Sequence, residues 1–373
     1  MNVTPLSPAC LMLLAALAAS APLSAQAGAT IPFGNGQSVS VGFGMRASYT
    51  SMEDAAPNGT SRSNDFNLDS ARLFFGASLN KQIGGMLNTE WDGNQVRVMD
   101  AAGQFAISPE LNIWAGRLLS PSDRANMAGP YYSLGGGYWA GVASRYGYNG
   151  GIFRGRDDGV VAWGNAADGK LGYSFGAFEG HTFGIGSLTQ NQAKAAGVKA
   201  SDSLMYAGRV QYDFWDAEPG YYGTGNYLGS KDILAIGFAA RQQSKGVLTT
   251  AGVGDYTSWN VDFLLEKRVP GGAFSVEAAY YDYDTDGVIK SEQGKAYSAG
   301  AAYLFAAGAG KLQPFVRYQK FSPDTNLDTR QADAGLHYII DGYNAQLTAL
   351  YSRTKTTSAP SLSKFAVALQ LQY

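Results

Sequence analysis

From residue 38 to its last residue the chain returns again and again to period two. In 38–49 the odd positions Val39, Val41, Phe43, Met45, Ala47 and Tyr49 are mostly apolar, while Ser38, Ser40, Gly42, Gly44, Arg46 and Ser48 are small or polar. A strand turns successive side chains to opposite faces, so such a stretch has one apolar and one wet face. In 259–268, Trp259, Val261, Phe263 and Leu265 oppose Asn260, Asp262, Glu266 and Arg268. In 343–351, Tyr343, Ala345, Leu347, Ala349 and Tyr351 oppose Asn344, Gln346 and Thr348. Sixteen segments read this way: 38–51, 68–80, 84–92, 96–107, 111–119, 157–165, 170–180, 203–214, 232–243, 257–269, 273–283, 296–306, 311–321, 331–341, 343–353 and 363–373. Alternation is weakest in 84–92, 96–107 and 111–119, where Arg117 falls on the apolar parity unless a bulge intervenes.

The connections alternate in length. Tight turns rich in Gly, Pro and Asx lie at 80–84, 108–110, 166–170, 270–272, 306–310 and 341–342. Between them lie longer polar stretches at 52–66, 120–156, 181–202, 244–256, 284–295, 322–330 and 354–362. Short turns at one end and long loops at the other predict an all-β fold, a sixteen-stranded antiparallel transmembrane β-barrel with short periplasmic turns and long extracellular loops. An even strand count puts both termini on the periplasmic side. One connection breaks the rule: 215–231 is long yet falls on the short-turn side, as a periplasmic insertion would. A β-sandwich is the alternative, but it seldom needs sixteen strands. The last strand favours the barrel. Phe365, Val367, Leu369, Leu371 and the terminal Tyr373 alternate with small and polar residues, the pattern expected of an outer-membrane assembly signal.

Residues 9–21 form an uncharged apolar run, and Ala25-Gln26-Ala27 supplies a small-x-small cleavage site. The expected organisation is a cleaved signal peptide, 1–27, followed by one barrel domain, 28–373. Cys10 is the one cysteine, so 28–373 has none, and the chain has two histidines. That count argues against a structural zinc site and a thiol enzyme, and no cofactor is expected. Lys and Arg (28) nearly balance Asp and Glu (30), which gives no warrant for a nucleic-acid partner.

Several phrases carry a family resemblance. They are Gly116-Arg117-x-x-x-Pro121, the hairpin Arg156-Asp157-x-Gly159…Asp168-Gly169-Lys170-Leu171-x-Tyr173, and Tyr206-x-x-Arg209-Val210-x-Tyr212 with Glu218-Pro219-Gly220-Tyr221. Over roughly 68–240 the chain resembles the phosphate-selective porin O/P family of Gram-negative outer membranes and its short-chain amide porin branch. The resemblance implies a homotrimer of sixteen-stranded barrels with the third loop, 120–156, folded into the lumen. This chain departs from the family in having arginines rather than a lysine cluster in that loop.

Two motifs suggest other chemistry. Gly172-Tyr173-Ser174-Phe175-Gly176 matches G-x-S-x-G, but a nucleophile elbow needs a strand-to-helix turn with a nearby His and acid. Ser174 sits inside a predicted strand, and the histidines are His181 and His337, so the chain is read as not an enzyme. Asp282, Asp284 and Asp286 copy the first half of a calcium loop, yet the twelfth position is Gln293. They read as an acidic loop tip, with a weak divalent site as the alternative.

By parity the lumen face carries Arg46, Arg72, Arg209, Arg241, Arg268, Arg317 and Lys364 against Glu90, Asp92, Asp100, Asp213, Asp262, Glu266, Glu277 and Asp333. The third loop adds Arg124, Arg145, Arg154 and Arg156 with Asp123 as its only carboxylate. Its Tyr131, Tyr132, Tyr138, Trp139, Tyr146, Tyr148 and Phe153 are expected to pin it to the wall. Arginine stays charged and grips oxyanions in a fork. Arg72, Arg124, Arg145, Arg154, Arg156, Arg209 and Arg317 are therefore the expected constriction. The expected function is a passive outer-membrane channel for small hydrophilic solutes with a weak, phosphate-type anion preference. A pore for neutral amides, urea or sugars is the alternative, as is a purely bracing role for arginines paired with wall carboxylates. A barrel enzyme is poorly served by two histidines, and a gated receptor needs ~22 strands and a plug. Expected partners are two further copies, outer-membrane lipid and lipopolysaccharide, the barrel-assembly machinery and the solutes themselves. Gly- and Ala-rich 296–309 is the candidate for close packing between copies.

Overall fold

The structure is a computed structural model, and it describes residues 28–91, 93, 95–138, 140–146, 155–180, 187–199 and 201–373. The expected signal peptide 1–27 lies outside the described residues, as do Asp92, Trp139, Tyr148, Phe153, Arg154 and His181. The strands are β1 (Ala29–Gly34), β2 (Gln37–Met52), β3 (Asp65–Ser78), β4 (Ile83–Trp91), β5 (Val96–Ser108), β6 (Leu111–Leu119), β7 (Arg156–Ala166), β8 (Leu171–Phe178) and β9 (Met205–Asp213). They continue as β10 (Ile233–Leu248), β11 (Val253–Val269), β12 (Gly272–Asp284), β13 (Gly294–Ala307), β14 (Gly310–Pro323), β15 (Thr329–Asp341), β16 (Ala345–Thr356) and β17 (Ser361–Gln372). Helix is confined, among the described residues, to α1 (Arg124–Ala128), α2 (Gln190–Ala195) and one 3-10 turn at Pro130–Tyr132. No described helix is long and apolar enough to cross a membrane.

Each strand from β2 to β17 pairs antiparallel with the next, and β17 returns to β2, from Lys364 opposite Met52 to Gln372 opposite Gly44. The result is a closed sixteen-stranded antiparallel barrel. Closure leaves no strand edge to cap, which is what a wall without solvent on its outer face requires. The predicted segments all appear as barrel strands. Burial along them is the inverse of a soluble protein's. In β11, Ser258, Asn260, Asp262 and Glu266 are buried toward the lumen while Trp259 and Val261 are exposed on the outside. Phe365, Val367, Leu371 and Tyr373 also lie in this outer apolar layer.

The structure adds a strand and shortens several loops. Asn35 (φ 52°) and Gly36 (φ 80°) form the two-residue turn that folds β1 back on β2, from Ala29 opposite Val41. The other edge of that part of β2 belongs to β3, so β1 occupies the edge that β17 vacates. Tyr373 closes the seam by exchanging two backbone hydrogen bonds of 2.7 Å with Phe43. Strand extends into the expected loops at 244–256, 322–330 and 354–362, furthest in the first. β10 and β11 run for 16 and 17 residues and are joined across 249–252, whereas β8 has 8 residues. The extra length was missed because its outer residues, such as Ser244 and Asp255, are polar rather than apolar. Arg117 needs no bulge: it faces outward and meets its ladder neighbour Asp158 at 2.7 and 2.8 Å.

Candidate constriction inside the barrel

The third loop leaves β6 and turns inward. Every residue from 118 to 128 is buried, and the loop is tied to wall strands around much of the ring. Tyr131 donates to Ser70 Oγ (3.1 Å) on β3, and its carbonyl accepts from Gln370 on β17 (3.1 Å). The Leu134 carbonyl accepts from His337 Nε2 (3.1 Å), whose Nδ1 meets Thr348 Oγ1 (2.9 Å). Gln319 Oε1 accepts from Val142 N (3.0 Å), and Tyr283 donates to the Ala143 carbonyl (2.9 Å). Asp123 accepts from Tyr281 (2.7 Å) and Ser144 (3.1 Å), and burial pushes its carboxyl up to about 6 against these bonds.

A second segment enters from the other end. The connection 214–232 between β9 and β10 continues their ladder as far as Asp216 N to Asp232 O (3.0 Å), so 217–231 is an excursion from a hairpin base. It reaches the third loop inside the lumen. Tyr221 donates to the Leu119 carbonyl (2.5 Å), and Gly225 N donates to the Tyr132 carbonyl (2.7 Å). A Cβ on Gly225 would stand 2.5 Å from Leu134 N and 2.9 Å from Tyr132 O, so this approach needs glycine. Glu266 on β11 accepts the Tyr227 and Gly229 amides (2.7 and 2.6 Å), and Tyr343 donates to Asn226 Oδ1 (2.6 Å).

Where the two segments meet, opposite charges pair. Arg124 donates to both oxygens of Glu218 (2.8 and 2.6 Å), to the Thr224 carbonyl (3.0 Å) and to Gln211 Oε1 (3.0 Å). Arg209 grips Asp262 with two bonds (2.6 and 2.8 Å) and shares Gln211 Oε1 (2.8 Å). The other expected constriction arginines are also paired: Arg72 with Glu90 (3.0 Å), Arg156 with Asp100 (3.1 Å), Arg317 with Asp333 (2.9 Å) and Arg145 with Glu292. Arg154 lies outside the described residues. Arg46 and Lys364 have no carboxylate within ion-pairing distance among the described residues. Both sit over the Tyr138 ring, at 5.4 and 4.9 Å.

Two cavities flank the seam. One, of ≈ 40 Å³, is lined by Arg124, Arg209, Gln211, Glu218, Ser174 and Trp163 among others. The other, of ≈ 80 Å³, is lined by Arg72, Asn88, Asp100, Arg156, Tyr131 and Tyr132 among others. Met127, Tyr222 and Gly223 line both. Ser174 sits within β8 opposite Arg209, not at an elbow. At the acidic tip, Asp284 Oδ1 accepts the Asp286 amide, and Gln293 Oε1 takes the Gly287 amide, both at 2.8 Å. Among the described residues no three metal-ligating side chains converge.

Sequence reasoning found the arginines and quoted Glu218 and Tyr221 only as part of a family phrase, giving neither them nor Tyr222 and Asn226 a place in the constriction. The signal was there in two parts: a connection too long for its side, and the poor alternation of β5 and β6.

Solved structures with this fold include an anion-selective porin from Comamonas acidovorans (12% identity, TM-score 0.63, 90% of this chain and 100% of that one). They also include OprB of Pseudomonas putida (10%, 0.61, 91% and 94%). A third is the trimer form of OmpT, an outer membrane protein of Vibrio cholerae (13%, 0.57, 91% and 100%). No family model and no curated protein matches the sequence. The chain thus has the barrel fold of outer-membrane porins. The reading that it is not an enzyme is corrected: likeness to OmpT at this identity is a likeness of fold, and the fold does not exclude catalysis.

Proposed function

We propose that the chain is a porin, a passive channel for small hydrophilic solutes in the outer membrane of a Gram-negative bacterium. The observation that carries this is the inverted wall: an apolar exterior and a polar, charged interior around a sixteen-stranded ring, wide enough for a water channel before it is narrowed. Pairing of all six described arginines of the expected path favours weak charge selectivity and uncharged solutes. A fixed guanidinium whose fork is already filled by a carboxylate has little left for a passing anion. The second reading, a weak anion preference, is favoured by Arg46 and Lys364, whose charges have no such partner.

Reversal potential in a salt gradient across a planar bilayer separates the two. A value near zero supports the first. An anion-selective value that disappears in Arg46→Gln/Lys364→Gln supports the second, and absence of channels in folded protein removes the porin reading. Export by cleavage after Ala27 is proposed from the sequence, to be checked by the N-terminal residue of the mature chain. Kinship with the porin O/P family rests on the Arg156-Asp157-x-Gly159 hairpin. Assembly as a homotrimer in contact with lipid and lipopolysaccharide is part of the proposal, supported by the trimeric neighbour and by small outer residues such as Ala299 and Ala301 on β13. A monomeric mass in mild detergent would count against it.

A further inference from the structure

The inner face of the wall is not uniformly polar. On β5 to β9 it carries Ala102, Trp114, Leu118, Val161, Trp163, Phe178 and Met205, which form one buried apolar cluster. Trp114 and Trp163 are only 5% and 6% exposed although they face the lumen. Their cover comes from the β9–β10 connection. Tyr221 lies 4.9 Å from the Trp114 ring and 5.9 Å from Trp163, and Tyr222 lies 5.9 Å from Trp114. Met127 of the third loop joins the same cluster. A water-filled lumen would leave two indoles wet, at the cost of burying none of that surface. The apolar wall and the tyrosines are complementary parts, so the excursion is docked by design of the sequence rather than lying loosely in the opening.

We propose that 217–231 is a second constriction element, entering from the end opposite the third loop, and that solutes pass along the seam between the two. Glu218 and Tyr222 are its specificity-determining residues. This rests on the channel reading and deepens it. Glu218 neutralises Arg124 at the seam, and Tyr222 stands between the two cavities because it lines both. The volumes, ≈ 40 and ≈ 80 Å³, hold one to a few waters, so a solute must be small or must displace the tyrosine. The chemistry along the seam is guanidinium–carboxylate pairs on one side and phenol rings on the other. That suits compact, uncharged polar molecules better than ions of either sign.

The hairpin base at Asp216 and Asp232 permits a clean test. Residues 217–231 are replaced by an Asn-Gly turn, and folding is checked by heat-modifiable mobility and far-UV circular dichroism. Single-channel conductance is compared with wild type, alongside Tyr222→Ala and Glu218→Gln in the full-length chain. A rise of roughly two- to threefold or more in the shortened barrel is expected, because a constriction dominates the resistance of a pore. Tyr222→Ala should admit larger sugars in liposome swelling, and Glu218→Gln should turn the current toward anions by freeing Arg124. Conductance equal to wild type in the folded shortened barrel overturns it while leaving the porin reading intact. If the shortened chain does not fold, unchanged size exclusion in Tyr222→Ala together with unchanged selectivity in Glu218→Gln overturns it. Silence of every folded form removes the porin reading and this proposal with it.

Discussion

At the scale of single residues, the interior is a set of buried charges whose worth lies in being paired. Asp262 is 2% exposed and holds Arg209 through two hydrogen bonds. Removing one partner of a buried pair leaves the other uncompensated, at a cost of about 3–5 kcal/mol. Arg209→Ala should therefore lower the thermal midpoint in detergent markedly, and Arg209→Met/Asp262→Leu should recover most of the loss. Equal midpoints for the single variant and wild type would show that water reaches Asp262. Asp123 offers a pH test. Its carboxyl, at about 6 in the folded loop, lies above the ordinary 3.8. Below about 4 both folded and unfolded chains hold the proton, and the group is neutral in effect. As pH rises from 4 to 6 only the folded state holds it, so stability falls across that window and stays lower above 6. Asp123→Asn should gain midpoint over wild type progressively between pH 4 and 6. A constant difference would show that Asp123 does not titrate there. The parity of these charges was legible in sequence, but their partnership was not: Arg124 and Glu218 are 94 residues apart, and nothing local links them.

At the scale of elements, alternation identified the strands because every barrel strand separates two unlike environments. It weakened where the environments become alike. β5 and β6 have apolar residues on both faces since the inner one meets Tyr221, Tyr222 and Met127 instead of water. It also failed above the apolar belt, where β10 and β11 have polar outer residues and were cut short. β1 was missed altogether, although Asn35-Gly36 is a strong hairpin signal, because all six residues of the strand are exposed and carry no pattern. The end of β17 carries the element-scale prediction. We propose that Phe365, Val367, Leu369, Leu371 and Tyr373 are read by the barrel-assembly machinery as the chain closes. Deleting Tyr373 removes both of its backbone bonds to Phe43 at the seam. The expected result in cells is unassembled chain that a periplasmic protease degrades. Normal amounts of heat-modifiable barrel would show that closure does not depend on that residue.

At the scale of the whole molecule, the wall has no single height. At ~3.4 Å per residue and a tilt of ~40°, the 17 residues of β11 rise ~44 Å and the 8 of β8 only ~21 Å, against an apolar belt of ~25 Å. The strand wall is therefore shortest at β8 and tallest at the β10–β11 hairpin, against which the β8–β9 connection leans, Leu188 N donating to the Leu248 carbonyl (2.6 Å). Seen from outside the cell, that hairpin is the first part of the barrel a large particle touches. An antibody or a phage tail fibre would find an epitope at the tip of that hairpin, 249–252. A short peptide tag inserted after Thr250 should be labelled on intact cells, whereas the same tag at Gly271 should become reachable only after the envelope is broken. Labelling in the reverse order would turn the barrel upside down.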